Sequence, residues 1–134
     1  MTTLPTRFLV DASFLTSVIR TADVHHNIAG RFYDGKPDAV WVIPTLAYFE
    51  FQAAQSRSGQ RYRDVYVRSL EVFELTLDFT RRCREQQLFE RFLKLRGADL
   101  VYACIAKIED ITLVTFDHDF DDYAGDIQIV RLAA

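Results

Sequence analysis

Acidic residues stand at four places that an alternating α/β chain would bring together: Asp11, Glu50, Asp99, and Asp117 with Asp119. Each place adjoins a strand end or a helix start and interrupts or closes an apolar run. Four ionised carboxylates about 6 Å apart would repel by about 3 kcal/mol per pair at an effective dielectric near 20, on the order of 15 kcal/mol over six pairs. A domain stabilised by only about 5–15 kcal/mol cannot carry that unrelieved. The acids therefore stay apart, protonate, or share a divalent cation. The chain offers hard oxygen donors of the kind that suit Mg²⁺, and no soft Cys/His set for zinc.

The elements that must position these acids follow from hydrophobic patterning. Phe8–Val10, Val40–Ile43, Leu113–Phe116 and Ile127–Leu132 predict strands, with Leu75–Phe79 as a further candidate. Helical patterns run at about Phe14–Arg20, His25–Asp34, Leu46–Arg57, Arg61–Phe73, Thr80–Lys94 and Asp99–Ile108. Apolar strands separated by helices predict a parallel, roughly five-stranded sheet in a three-layer α/β/α arrangement. Ligands of such sheets bind beyond the carboxyl ends of the strands. Asp11 and Asp117 stand at that edge.

Glu50 and Asp99 arrive from helices. Thr45 is a candidate N-cap after Pro44, which places Glu50 in the second turn of the next helix, amid Leu46, Ala47, Phe49, Phe51, Ala53 and Ala54. A glutamate in an apolar arc should point inward, and it is almost never buried unless paired or bound to metal. Each acid also has an ordinary explanation. Glu50 could meet an arginine, Asp11 and Asp99 could cap helices, and Asp117 could sit in a turn. Four independent caps and bridges, however, need not share one sheet edge.

The 134 residues, 49% hydrophobic and 26% charged, have the proportions of one globular domain spanning 1–134. No apolar stretch approaches a membrane span and the start lacks a signal-peptide pattern, so a cytoplasmic location is expected. Cys83 and Cys104 lack metal-binding spacing and read as reduced structural thiols. The net charge of −3 argues against indiscriminate attraction to polyanions, yet arginines and lysines gather between Arg57 and Arg96 and could border an acidic site. Within that tract RSGQRYRDVYVR interleaves arginine with tyrosine, as an RNA ledge or as a packed segment; packing is the favoured reading.

Four segments carry a family resemblance: FLVDASFL, PTLAYFEF, GADLVYACIA and LVTFDHDF. In this order and spacing they resemble the acidic motifs of PIN-domain nucleases. Among these the chain is similar to VapC-type toxins of prokaryotic toxin–antitoxin pairs. The resemblance implies Asp11, Glu50, Asp99 and Asp117 as a catalytic quartet. It implies Mg²⁺ or Mn²⁺ held by Asp11, Asp99, Asp117 and the auxiliary Asp119, with Ser13 and Thr115 supporting the carboxylates. It further implies an endoribonuclease acting on RNA, a cognate antitoxin and a homodimer. No motif maps between about Gly59 and Arg96, the His25–His26 pair lies outside the pattern, and no substrate-binding residue is assigned.

A metal-generated nucleophile leaves no need for a covalent intermediate on Ser, Cys or His. His118, between two aspartates, is a weak candidate for a general acid. Competing readings are a non-catalytic PIN-like scaffold, which predicts a broken acidic position, and a DNA-directed nuclease using the same acids. A phosphatase built on Asp117 and Asp119 would place that pair after the first strand, not a late one.

Overall fold

The computed structural model describes residues 4–59 and 65–133. Five parallel strands, β1 (Arg7–Val10), β2 (Val40–Pro44), β3 (Leu70–Phe73), β4 (Thr112–Thr115) and β5 (Ile129–Arg131), form one sheet in the order β3-β2-β1-β4-β5. Helices α1 (Ala12–Ile19), α2 (His26–Asp34), α3 (Thr45–Arg57), α4 (Leu77–Glu85), α5 (Leu88–Arg91) and α6 (Gly97–Glu109) flank it in the expected α/β/α layers. From β1 the chain builds outward through β2 and β3, then crosses to β4 and β5. Strand order therefore reverses at β1, the position where such sheets open a crevice at their carboxyl edge.

The middle strands are buried throughout: Leu9, Val42, Leu113 and Val114 have no exposed surface. Trp41 anchors an aromatic cluster with Phe8, Phe14, Phe32 and Tyr33, at ring separations of 5.1–6.1 Å. Because Phe14 lies in the first turn of α1, this packing fixes the helix that follows Asp11. On the other side of the sheet Phe92 packs edge-on against Tyr123, 5.2 Å away, and Cys83 of α4 meets Cys104 of α6. Both thiols are buried and free, and burial pushes the Cys104 thiol up to about 12, so it stays protonated at neutral pH.

Three sequence expectations need correction. The fifth strand is Leu70–Phe73, not Leu75–Phe79, so the helix expected over Arg61–Phe73 is not formed at its end; residues 60–64 lie outside the described residues. Thr76 decides the matter, because its hydroxyl accepts from the Phe79 N–H at 3.1 Å and starts α4 at Leu77. β3 is an edge strand with Leu70, Glu71 and Val72 exposed, which removes the apolar signature of a buried strand. The tract before it packs in part: Val65 is buried and Arg68 lies over the Tyr33 ring at 4.3 Å, while Tyr66 is exposed.

The helix expected over Thr80–Lys94 breaks at Gln87, which takes a left-handed conformation with φ 58°. The buried positions explain the break. Phe79 and Cys83 face the core, but the next buried residues are Leu88, Phe92 and Leu95, a jump of five residues that one continuous helix cannot align. Finally, Pro44 rather than Thr45 caps α3, a shift of one residue.

The left-handed turn at Gln87 generates a stability prediction. Relieving about 1–2 kcal/mol of left-handed strain, less about 0.5–1 kcal/mol of added unfolded-state entropy, Gln87→Gly should stabilise the fold by about 0.5–1 kcal/mol. Gln87→Val should destabilise it. Urea midpoints of the two variants check this, and equal shifts would contradict it.

Candidate functional site

Asp11 follows β1 directly and Asp117 follows β4 by one residue; the two strands are neighbours, with Val10 opposite Val114. Both acids therefore stand at the carboxyl edge beside the strand reversal. Asp11 is 4% exposed and surrounded by donors. Its Oδ1 accepts from the Ser13 hydroxyl at 2.8 Å and the Phe14 N–H at 2.9 Å, and its Oδ2 accepts from the Thr115 hydroxyl at 2.6 Å. Thr115, itself fully buried, accepts in turn from the Asp117 N–H at 3.0 Å. One hydroxyl thus couples the two strand-end acids. The cap expected of Asp11 is formed, and it coexists with a place at the shared edge.

Asp99 lies in the first turn of α6 rather than at its cap, which is Arg96. Asp117 accepts from the Asp119 N–H at 2.9 Å, and this bond starts the 3₁₀ turn His118–Tyr123. Oxygens of Asp99, Asp117 and Asp119 lie within 4.8 Å of one another, a group that does not include Asp11 or Glu50. Those two act on Asp99 through space, since the charges of Asp117, Asp119, Asp11 and Glu50 all oppose its ionisation. Glu50 is half-buried at the border of the inward face of α3, whose buried positions are Ala47, Phe51 and Gln55; Phe49 is 73% exposed. The expected central place in an apolar arc is thus corrected to its margin.

Partners separate these acids from their neighbours. Asp121 pairs with His118 and Arg131, Asp122 with Lys94, and Asp126 with Arg91. Among the described residues, no arginine or lysine pairs with Asp11, Glu50, Asp99, Asp117 or Asp119. The arginine bridge that would have explained Glu50 is not formed there. His118 is exposed and held by Asp121 at 3.2 Å, so its ring is engaged away from the carboxylate group.

Two residues near the site hold positions that sequence reasoning does not assign them. Tyr102 is only 2% exposed and its hydroxyl donates to Glu50 Oε1 at 2.7 Å. Its position three residues after Asp99, on the same helix face, is the signal that could have found it. His25 stacks on Phe116 with ring centroids 4.3 Å apart, next to Asp117; nothing in its sequence context points there.

A hard divalent cation fits this donor set: clustered carboxylate oxygens, no opposing cation from the described chain, and hydroxyl groups holding the buried acid in orientation. Without a cation the charges oppose one another. Burial, then Asp117, Asp119, Asp11 and Glu50, push the Asp99 carboxyl up to about 6, and burial raises Asp11 against its hydrogen bonds. The folded state consequently holds protons that the unfolded chain releases near pH 4, and stability falls as pH rises from about 4 to about 6. In chelator-treated protein Asp99→Asn should raise the thermal midpoint by a few degrees above about pH 7, with a gain that shrinks toward about pH 4. Thermal scans across that range check it; a gain that grows on acidification contradicts it.

Comparison with known proteins agrees with this fold. Solved structures share it, among them VapBC2 and VapC20. VapBC2 from Rickettsia felis, bound to a DNA fragment from its promoter, superposes with a TM-score of 0.69 at 18% identity, over 96% of this chain and 100% of that one. VapC20 from Mycobacterium tuberculosis, a sarcin-ricin loop cleaving toxin, superposes with a TM-score of 0.68 at 21% identity, over 92% of this chain and 98% of that one. No curated protein matches the sequence. Residues 8–126 match the PIN domain family, a span that takes in all five acids, and the chain belongs to that family.

Proposed function

We propose that the protein is a Mg²⁺- or Mn²⁺-dependent endoribonuclease, the toxin of a VapC-type toxin–antitoxin pair. The observation that carries this reading is the gathering of Asp11, Glu50, Asp99, Asp117 and Asp119 at one sheet edge with no arginine or lysine partner among the described residues. Family membership and the fold shared with VapC20 support it.

Asp99, Asp117 and Asp119 would hold the ion, with Asp11 completing the negative wall behind them. Bound there, a divalent cation supplies Lewis acidity and an activated water. The remaining work belongs to the chain. Thr115 and Ser13 keep the Asp11 carboxylate turned to the site. Glu50 has one oxygen engaged by Tyr102, and in this reading its other oxygen would accept a proton from the attacking water. A small antitoxin carrying a basic side chain would complement the same negative charge, a partnership supported by the VapBC2 structure. Self-association through an exposed helical face completes the proposal.

Induced expression should arrest growth, and purified protein should cleave RNA only with Mg²⁺ or Mn²⁺. Asp11→Asn and Asp99→Asn should each abolish arrest and lower cleavage by about 100-fold or more, a loss of at least about 2.7 kcal/mol in transition-state stabilisation. His118→Ala should cleave within about twofold of wild type, since its exposed ring takes no part in proton transfer. Wild type that neither arrests growth nor cuts RNA would favour the scaffold, and cleavage confined to DNA would redirect the substrate.

A further inference from the structure

Glu50 is the one acid of the five that arrives on α3, and its hydrogen-bond partner is a neutral phenol. Tyr102 donates to its Oε1 at 2.7 Å from a side chain that is 2% exposed. Tyr102 also rides on α6 three residues beyond Asp99, so one helix face delivers both a carboxylate and this phenol. A single side chain therefore links the first half of α6 to the second turn of α3, the two helices that bring in Asp99 and Glu50.

We infer that Tyr102 is a positioning residue of the cleavage site, acting through Glu50 by fixing one carboxylate oxygen and leaving the other free toward the site. The inference rests on the metal-dependent cleavage proposed above. Two considerations favour position over mere packing. A buried tyrosine would satisfy its hydroxyl with any carbonyl, yet this one is spent on a half-buried acid with no cationic partner among the described residues. The donor is also of the right charge. An arginine in its place would orient Glu50 equally well but would neutralise it and repel a divalent cation. A phenol orients without adding charge, and burial together with Glu50 raises its own pKa, so it stays a donor at working pH.

The test is a double-mutant cycle on full-length protein with two readouts: Mn²⁺ affinity by calorimetry, and the cleavage rate of an RNA that wild type cuts. Tyr102→Phe keeps the buried ring and removes only the hydroxyl. It should weaken Mn²⁺ binding or slow cleavage by about 10–100-fold, as partners of metal-site carboxylates typically do. In a Glu50→Ala background the same change should have less than about twofold further effect, because the group it acts through is gone. Equal losses in both backgrounds, or no loss in either readout, overturn the role while leaving the nuclease reading intact. Wild type that neither binds Mn²⁺ nor cuts RNA overturns both. Should Tyr102→Phe fail to fold, wild type labelled with ¹³C at the tyrosine ring carbon bearing the hydroxyl supplies a second measurement. Glu50→Ala should shift the Tyr102 resonance, and an unshifted resonance overturns the hydrogen bond on which the role depends.

Discussion

Negative charge that the described residues gather without pairing it to a cationic side chain is the constraint behind the rest of this structure. Asp11, Asp99 and Asp117 converge, and the physical sign of that convergence is the Asp99 carboxyl held near 6 by burial and by four other acids. Among the described residues, the side-chain carboxylates of these acids and of Glu50 accept hydrogen bonds from neutral groups: the Ser13 and Thr115 hydroxyls, the Tyr102 phenol, and the backbone N–H groups of Phe14 and Asp119. Neutral donors restrict where a carboxylate points without reducing the field it projects. The fold thus keeps the acids in place while leaving their charge for a ligand, an arrangement that trades some stability for binding.

The α/β topology makes that gathering possible from positions far apart in sequence. β1 and β4 pair at the reversal of strand order, so residues after their carboxyl ends emerge side by side although about a hundred positions separate them. β2 passes straight into α3, which carries Glu50 back along the neighbouring face, and α6 begins at the same edge with Asp99. The aromatic cluster around Trp41 secures α1 through Phe14, whose N–H meets Asp11. Core packing and the orientation of a site carboxylate are therefore linked by one residue.

How much of this is legible in the sequence depends on whether a residue's signal is local. Strand-end acids such as Asp11 and Asp117 can be read directly, because a buried apolar run closing on a charge marks a sheet edge. Ser13 and Thr115 lie within two residues of them, but only the family resemblance marks them, since a small hydroxyl beside a strand end has no distinct signal of its own. β3 is not legible in the same way, since an edge strand with exposed side chains lacks the apolar run, and the capping hydroxyl of Thr76 outweighs the alternation in Leu75–Phe79. The break at Gln87 carries no glycine or proline; it follows from where Leu88, Phe92 and Leu95 must be buried, which only the assembled core determines. Tyr102 illustrates the same limit within the site. Its composition context is that of any core tyrosine, and its partner Glu50 is 52 positions away.

The segment from Asp117 to Asp126 shows how one acidic stretch is divided between two tasks. Five carboxylates occur within it. Asp121, Asp122 and Asp126 each meet a cationic side chain and secure the 3₁₀ turn and its approach to α5 and β5. These are solvent-facing pairs of the kind worth about 0–1 kcal/mol, enough to bias a local conformation but not to define a site. Asp117 and Asp119 meet none among the described residues, and their oxygens turn to Asp99 instead. The distinction is one of pairing rather than of residue type, which is why composition alone reads the stretch as uniformly acidic. Arg91, Lys94 and Arg131 thus balance the outer three acids, while among the described residues no cationic side chain balances the inner two, whose charge stays with the Asp99 group.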